Sequence, residues 1–308
     1  MNQPTHLRIG SRGSQLALWQ ANHIADKLRA QGHEASIEII RTTGDAMQSL
    51  TFAQVGAKGM FIKEIEDALF ENRIDLAVHS LKDLPTTLAE PFTLAAIPQR
   101  ADPRDAFVST SFESFAALPA GARVGTSSLR RQAQLRAQRR DIEYVEFRGN
   151  VDTRLRKLAE GQVEAIILAS AGLERLSLSV HIRERFSALI LCPAAGQGAL
   201  AIETRADDST TVAALSFLND APTHFCVTAE RATLAALGGG CQVPIGIYCA
   251  PDASGFSITG AVAAPDGSSI LRAELQHQHG TSAEDLGEKL AHVLLRQGAD
   301  AILQAGMP

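Results

Sequence analysis

The sequence has no run of about 18 apolar residues, the length that a membrane-spanning helix requires, so no such helix is expected. The first ten residues, MNQPTHLRIG, lack the succession of basic, apolar and small residues that marks a secretory signal. We therefore expect a protein of the cytoplasm that has no contact with a membrane.

Cysteine is scarce, and its spacing excludes two further classes. The four thiols show no CxxC pair, so neither a disulfide framework nor a structural zinc site is expected. They are Cys192, Cys226, Cys241 and Cys249. All four are predicted to be reduced. Cys192, Cys226 and Cys249 lie among apolar neighbours, so they are predicted to be small buried side chains.

Several nucleotide and metal motifs are also absent. There is no HExxH and no GxxxxGK[ST], and the nine histidines are scattered, so no metal site is expected. GQGALA, at Gly196–Ala201, matches the dinucleotide pattern GxGxxA. Residues Ala199–Thr204 read on as a strand, whereas that fingerprint requires a helix after the glycines, so a nicotinamide site is not predicted.

Charge is low overall and concentrated in one segment. The 308 residues carry a net charge of -5, which argues against a general nucleic-acid binder. Between Arg123 and Lys157, however, ten Lys or Arg face four Asp or Glu, a local balance of +6. Nine of these ten cations are arginines, whose planar fork holds a carboxylate or phosphate by two parallel hydrogen bonds. The segment predicts a binding site for an anion.

Not every arginine of this segment is expected to bind. Three of them fit the solvated face of a helix, namely Arg136, Arg139 and Arg140. Arg130 and Arg131 instead follow GTSSL, where a strand turns into a helix and backbone N–H groups point outward. The candidates for the helix cap are Thr126, Ser127 and Ser128. Arg148 precedes Gly149 in a similar turn.

The hydrophobic pattern alternates between strands and helices, which is typical of an α/β protein. Strands are predicted at Leu7–Gly10, Ala35–Arg41, Asp75–His79, Phe92–Ile97 and Ala199–Arg205, and helices at Ser14–Gln31 and Phe61–Glu71. The polar stretch RADPRD, at Arg100–Asp105, predicts a crossing into a second α/β unit.

The last third of the chain reads differently. Three strands joined by PDASG and PDGS turns follow a helix and precede another, which predicts a small antiparallel α+β domain. The strands are expected at Ile245–Ala250, Phe256–Ala263 and Ser269–Gln276, and the helices at Thr223–Leu237 and Ala283–Leu303.

Two stretches carry candidate chemistry. In LGGGCQVPIG, Gly238–Gly240 leave Cys241 on bare backbone, and Pro244 stiffens the far side. This fits either a glycine-rich helix end with a tight turn or a thiol that a bulky group approaches. In DLAVHSLKDLP, an apolar strand ends in polar side chains, where α/β sheets place ligands. Asp83 fits either a turn cap or a functional carboxylate, and Lys82 would allow a Schiff base, although nothing nearby supports pyridoxal phosphate.

Taken together, the motifs resemble those of the porphobilinogen deaminase, or hydroxymethylbilane synthase, family over nearly the whole chain. The matching stretches are RIGSRGSQLALWQA, GAKGMFIKEIEDAL, DLAVHSLKDLP, DPRDAFVS, VGTSSLRRQAQL, FRGNVDTRL, AIILASAGLERL, PAAGQGALAIE, ERATLAALGGGCQVPIG and APDG.

The resemblance implies two α/β domains that are similar to type II periplasmic binding proteins, with the active site in the cleft between them, and a small C-terminal α+β domain. The implied domains are residues 1–98 with 199–217, residues 104–193, and residues 221–308. The implied activity joins four porphobilinogen molecules head to tail into hydroxymethylbilane, with release of four ammonias. A dipyrromethane cofactor would be bound to Cys241 by a thioether, and the protein would be a monomer.

The resemblance also assigns roles to individual residues. Cofactor-binding positions would be Lys82, Thr126, Ser127, Ser128, Arg130, Arg131 and Arg148. Substrate-binding positions would be Arg12, Ser14, Arg154, Arg175, Gln197, Phe61 and Lys58, the last two in a mobile cover over the cleft. Asp83 would be the catalytic carboxylate that stabilises the azafulvenium cation left when ammonia departs.

Two other classes remain open on the residues alone. A non-catalytic binding protein that closes two lobes on a polyanion would explain the arginines, but neither the glycine-framed Cys241 nor the missing secretory signal. A thiol acyltransferase would require a base beside Cys241, and the sequence offers none.

Overall fold

The computed structural model describes residues 6–42, 62–239, 243–253 and 255–305. Its contacts divide the chain into two compact units. Unit 1 comprises Met1–Arg100 and Ala199–Ala221, and unit 2 comprises Ala101–Gly198 and Pro222–Pro308. Unit 2 contains both the second sheet and the C-terminal sheet, so the division into three domains stays a prediction.

The strands and helices are numbered in chain order over the described residues. The strands are β1 (His6–Ser11), β2 (Glu34–Ile39), β3 (Leu76–Ser80), β4 (Phe92–Ala96), β5 (Asp105–Val108), β6 (Arg123–Gly125), β7 (Glu143–Val145), β8 (Ala165–Ala169), β9 (Ile182–Arg185), β10 (Leu200–Arg205), β11 (Ile245–Asp252), β12 (Gly255–Ala263) and β13 (Ile270–Gln276). The α-helices are α1 (Gln15–Ala30), α2 (Lys63–Phe70), α3 (Leu129–Arg136), α4 (Val151–Ala159), α5 (Ser170–Arg175), α6 (Ser209–Leu215), α7 (Ala221–Ala236), α8 (Ala283–Arg296) and α9 (Ala299–Ala305).

The sheet of unit 1 has the strand order β2-β1-β3-β10-β4. β1 is parallel to β2 and β3, whereas β10 is inserted antiparallel between β3 and β4. Helix α1 covers one face, and its residues Ala21, Ile24 and Leu28 are fully buried. Ser14 caps this helix by accepting a hydrogen bond from the backbone N–H of Ala17, which satisfies an otherwise unpaired donor.

The larger sheet of unit 2 repeats the same plan, with the order β7-β6-β8-β5-β9. β6 is parallel to β7 and β8, and β5 is inserted antiparallel between β8 and β9. In both sheets the parallel strands end at one edge, which is where α/β proteins place ligands. The predicted α/β class is confirmed.

The C-terminal sheet is antiparallel, in the order β11-β12-β13, and α8 packs on it through buried leucines, which confirms the predicted α+β arrangement. The single helix predicted over Ala283–Leu303 is wrong, because α8 ends at Arg296 and α9 begins at Ala299. Gly298 between them has a φ of 96°, a conformation that glycine adopts without strain and that breaks the helix.

A close contact in unit 2 explains one glycine of the QVPIG motif. A Cβ on Gly246 would lie 2.5 Å from the carbonyl oxygen of Cys192 and 2.9 Å from Nε2 of Gln134. The next residue, Ile247, donates its N–H to the carbonyl of Pro193 over 2.8 Å. Strand β11 can therefore lie against the Cys192–Pro193 segment only if position 246 has no side chain.

Gly246→Ala is expected to lower the free energy of unfolding by about 1–3 kcal/mol, because the new methyl group meets backbone that cannot yield. Gly260→Ala on the neighbouring strand is the matched control, since its methyl group would meet the ends of Leu294 and Leu290, which can change rotamer. Urea unfolding of the two variants measures the difference. Equal losses would show that the contact with Cys192 is not the constraint.

Candidate functional site

The predicted anion site of unit 2 lies at the beginning of α3. Ser128 caps the helix and accepts a hydrogen bond from the N–H of Arg131. Thr126 Oγ1 accepts from the N–H of Ser128, and Ser127 Oγ accepts from the N–H of Phe147 over 3.1 Å. All three hydroxyls thus shape this turn, and each keeps its own hydrogen for donation.

A buried carboxylate that the sequence analysis did not identify organises the two arginines that follow. Asp105 is fully buried at the start of β5 and lies 2.8 Å from Nη1 of Arg130 and 2.7 Å from Nη2 of Arg131. Gln197 donates to the same carboxylate over 3.0 Å. The sequence signal was an acidic residue at the first position of an apolar strand, in DPRDAFVS.

The charges of this cluster perturb one another. Burial alone would raise the pKa of Asp105, but the guanidiniums of Arg130 and Arg131 hold that pKa well below its usual range. The pKa of Arg131 is lowered, chiefly by burial and further by the charge of Arg130, although the charge of Asp105 opposes this change. One carboxylate therefore balances two guanidiniums, and the cluster keeps one net positive charge.

Two further arginines of unit 2 lie in surroundings that disfavour their charge. Burial, together with the charges of Arg131 and Arg148, lowers the pKa of Arg154 to about 10. Burial likewise lowers the pKa of Arg175 to about 10, although Glu174 raises it. Arg154 donates Nε–H to the carbonyl of Gly149, and Arg175 donates to that of Gly198, each over 2.7 Å. Their charges would be stabilised by an anion.

Arg148 lies in the turn before α4 and forms an ion pair with Glu146, with Nη2 2.5 Å from Oε1. The next residue, Gly149, has a φ of 120°, where a side chain would be strained. The predicted turn at this point is confirmed.

The GQG motif has a structural explanation. Gly196 and Gly198 have φ values of 73° and 87°, and a Cβ on Gly198 would lie 2.6 Å from the carbonyl oxygen of Ala101. Gln197 donates to the carbonyl of Pro103 over 2.7 Å. The glycines allow two chain segments to run side by side, and β10 follows at Leu200, as the strand prediction required.

In unit 1, the candidate residues lie at one edge of the sheet. β1 and β3 are parallel neighbours, with Gly10 opposite Ala77, so the residues after both strands meet at the same edge. Arg12 follows β1, Ser14 caps α1, and Lys82 with the exposed Asp83 forms a single 3₁₀ turn, Leu81–Asp83, after β3. The prediction that the apolar strand of DLAVHSLKDLP ends in polar side chains is confirmed, because β3 ends in His79 and Ser80 and is followed by Lys82 and Asp83.

The expectation for the solvated arginines was partly wrong. Arg140 is exposed, but Arg136 donates to the carbonyl of Pro265 over 2.8 Å, and Arg139 donates to that of Leu118 over 2.9 Å. Their stems lie against protein because backbone carbonyls of neighbouring segments accept their hydrogens.

Three predicted site residues, Lys58, Phe61 and Cys241, lie outside the described residues. The prediction that Cys192, Cys226 and Cys249 are buried is confirmed. Burial raises the pKa of the Cys192 thiol to about 12. Within the described ranges, no group of three His, Cys, Asp or Glu side chains is placed to hold a metal, and no helix has the length and apolar character needed to cross a bilayer.

Comparison with known proteins identifies the family. A family model described as "Porphobilinogen deaminase, dipyromethane cofactor binding domain" matches residues 7–213, and "Porphobilinogen deaminase, C-terminal domain" matches residues 224–296. The chain belongs to the porphobilinogen deaminase family. It is a transferase of tetrapyrrole biosynthesis that uses a dipyrromethane cofactor.

Named relatives agree over the full length. Porphobilinogen deaminase of Bordetella parapertussis is 50% identical over 304 residues, which cover 98% of this chain and 96% of the relative. That of Laribacter hongkongensis is 50% identical over 299 residues, covering 96% and 97%. The interpretation as a thiol acyltransferase or a non-catalytic binding protein is therefore set aside.

Among solved structures, the chain is similar to the methionine-binding protein MetQ, with a TM-score of 0.46 and 12% identity over 74% of this chain and 94% of that one. A methionine-binding lipoprotein of Bacillus subtilis matches with a TM-score of 0.42 and 12% identity, over 69% of this chain and 89% of that one.

Asp105→Asn is expected to lower the free energy of unfolding at pH 7 by about 3–5 kcal/mol, because it leaves two buried guanidiniums without their counter-charge. The pKa of Asp105 is lowered in the folded state, so its stabilisation is present above the ordinary Asp pKa and is lost as pH falls. The difference between wild type and variant should therefore narrow below about pH 4.

Urea unfolding at several pH values measures this difference. Asp141→Asn is the control, because Asp141 forms an exposed pair with Arg139, and such pairs contribute little. A gap between wild type and Asp105→Asn that stays constant from pH 7 to pH 3 would contradict the role given to Asp105.

Proposed function

We propose that the arginines of unit 2 bind the carboxylates of the dipyrromethane cofactor and of the growing pyrrole chain. The observation that carries this proposal is the buried cluster in which the guanidiniums of Arg130 and Arg131 share the single carboxylate of Asp105. A buried cation that lacks a full counter-charge is unfavourable in the unbound protein. An anionic ligand removes that penalty on binding.

The chemistry of the donors fits the chemistry of the ligand. Each porphobilinogen carries an acetate and a propionate, so a chain of rings presents a row of carboxylates. A guanidinium holds such a group by paired hydrogen bonds that are shorter and stronger than neutral ones. The residues proposed to hold the cofactor are Lys82, Thr126, Ser127, Ser128, Arg130, Arg131 and Arg148. Those proposed to hold substrate rings are Arg12, Ser14, Arg154, Arg175 and Gln197, with Lys58 and Phe61 as a cover.

Cys241 is proposed to carry the cofactor through a thioether. Two observations support this assignment. The other three cysteines are buried, and the raised pKa of Cys192, about 12, keeps it protonated and unreactive. Cys241 is also the one thiol that glycines frame in the sequence. When bound, dipyrromethane supplies the pyrrole terminus to which each new ring is joined.

Asp83 is proposed to act on the incoming porphobilinogen. Loss of ammonia from the aminomethyl group leaves positive charge shared with the ring nitrogen, and a carboxylate near that N–H stabilises the charge as it develops. The same carboxylate can accept a proton when the ring becomes aromatic again. Its exposure at the end of β3 supports this role, because Asp83 can meet a bound molecule without rearrangement of the sheet.

The oligomeric state and the compartment belong to the same proposal. By family resemblance, we propose a monomer of the cytoplasm that acts on porphobilinogen alone.

Arg154→Met is expected to reduce cofactor content and to raise the KM for porphobilinogen while leaving the unfolding midpoint unchanged or higher, because a desolvated cation is removed from the free protein. Arg156→Met on the same helix is the control, since Arg156 is exposed and pairs with Glu160. Denatured intact mass measures cofactor content, with Cys241→Ser as the unmodified reference.

Two results would contradict the anion site. One is a normal mass excess and KM in Arg154→Met. The other is an equal loss of cofactor content in Arg154→Met and Arg156→Met, because an equal loss would depend on the net charge of the protein rather than on a specific binding site. A mass excess that persists in Cys241→Ser would reject the thioether at that residue.

Asp83→Asn is expected to lower kcat by about 10²–10³-fold, because the charge that stabilises the cationic ring is lost. The mass excess of the cofactor should remain once cofactor has been supplied, since the arginines are intact. Glu90→Gln, at an exposed carboxylate that follows Asp83 in the sequence, is the control and should keep wild-type turnover. Turnover of Asp83→Asn within a few-fold of wild type would remove Asp83 from the chemistry.

A further inference from the structure

The last residues of β3 face two different layers of unit 1. Side chains alternate along a strand, and Val78 packs in the cluster that contains the buried stripe of α1. Ala77 packs with α2 on the opposite face. By the same alternation, Ser80 faces α1 and His79 faces α2. Both precede Asp83 by only a few residues.

Each of these two side chains is tied to a neighbouring element. On one face, Gln20 of α1 donates to Ser80 Oγ over 2.8 Å. On the other, Nε2 of His79 lies 2.8 Å from Oε2 of Glu203 on β10. The end of β3 is thus anchored on both faces of the sheet.

The bond between His79 and Glu203 has unusual surroundings. Glu203 is fully buried and His79 is 9% exposed. Among the described residues, the other carboxylate oxygen of Glu203 has no hydrogen-bond partner, and His79 is the group paired with it. A buried carboxylate is unfavourable unless it is paired, so the imidazole is strongly held in one place.

Helix α2 adds a third member to this cluster. Burial and the charge of Glu203 raise the pKa of Glu66, whereas His79 lowers it. Two carboxylates therefore face the imidazole from two elements, β10 and α2. Movement of His79 would remove the favourable interaction of the imidazole with the carboxylates of Glu66 and Glu203.

The anchored strand end leads directly to the candidate catalytic turn. The N–H of Leu81 donates to the carbonyl of Ala199 over 3.1 Å, and that of Leu84 donates to Leu81 over 3.1 Å, which closes the turn around Asp83. Because this turn follows β3 directly and is held next to β10 by the bond from Leu81 to Ala199, the direction of the Asp83 side chain follows the end of β3.

We propose that His79 is a positioning residue for Asp83: its hydrogen bond to Glu203 fixes the end of β3 against β10 and thereby aims the Asp83 carboxylate. This inference rests on the catalytic role proposed for Asp83. A displacement of about 1 Å at a reacting group can reduce the rate by as much as about 100-fold, so a remote hydrogen bond can control turnover.

The test compares His79→Leu, which removes the hydrogen bond, with His79→Gln, whose amide can still donate to Glu203. Thr204→Val is the matched control. Thr204 follows Glu203 on β10 and is buried like it, but its hydroxyl has no hydrogen-bond partner among the described residues, so the substitution removes no bond. Each variant is made as full-length protein, and kcat is expressed per cofactor-loaded molecule by denatured intact mass.

We expect His79→Leu to lower kcat about tenfold or more, with the KM for porphobilinogen little changed, because a displaced carboxylate slows the chemistry rather than the binding. His79→Gln should recover most of this loss, and Thr204→Val should keep wild-type kcat. In an Asp83→Asn background, His79→Leu should have almost no further effect, since a residue that acts through Asp83 has nothing left to position.

Several outcomes would overturn the inference. These are an unchanged kcat in loaded His79→Leu, equal losses in the Leu and Gln variants, and a full additional loss in the Asp83→Asn background. Where His79→Leu does not fold, Glu203→Leu, which removes the hydrogen-bond acceptor, takes its place, and an unchanged kcat there has the same meaning. Failure of the proposed function is seen separately, as normal turnover of Asp83→Asn alone.

Discussion

Unit 2 depends on one constraint: a single buried carboxylate, that of Asp105, is shared by two buried guanidiniums. Asp105 has to lie within hydrogen-bond distance of Arg130 and Arg131 at once, which fixes the start of α3 against the start of β5. Breaking a buried pair leaves an uncompensated charge, so neither element can shift alone. The arrangement still leaves one net positive charge, which an anion could balance.

The same helix is also tied to the C-terminal sheet, through a backbone segment rather than through charge. The amide of Gln134 donates to the carbonyl of Cys192 and accepts from its N–H, over 3.1 and 2.8 Å. Arg130 donates to that carbonyl as well, over 2.7 Å. Because β11 can approach Cys192 only through Gly246, the glycine that looks like part of a flexible loop is a packing requirement. Helix α3 and strand β11 are therefore held together by their common contacts with the Cys192–Pro193 segment.

The sequence was sufficient for the strand pattern and the grouping of arginines, because each depends on local periodicity or composition. It was insufficient for Asp105, since an acidic residue in DPRDAFVS looks the same whether it is solvated or buried, and only its long-range contacts decide. The break before α9 was missed for a related reason: Gly298 interrupts an otherwise continuous helical pattern, and the positive φ that ends the helix is not visible in composition. The contacts of Arg136 and Arg139 are not visible in the sequence either, because the carbonyl groups that accept their hydrogens lie in distant segments of the chain.

The two kinds of candidate site residue are stabilised in opposite ways, and the difference follows from their chemistry. In the function proposed above, the arginines bind a ligand whose charge is fixed, and such a ligand offsets the penalty that burial places on the charge of Arg154. In the same proposal, Asp83 meets a charge that appears only during the reaction, so exposure and correct orientation of its carboxylate are what the chemistry requires. The structure accordingly buries Arg175 and partly buries Arg154, which lowers the pKa of both. It leaves Asp83 exposed and places hydrogen bonds on the residues just before it, at His79 and Ser80. Pre-orientation of this kind stabilises a transition state because no reorganisation remains to be done when the charge develops. A carboxylate held in a strong ion pair at this position would be better ordered but less able to stabilise a cationic substrate. Hydrogen bonds on the neighbouring residues, His79 and Ser80, give order without such a pair.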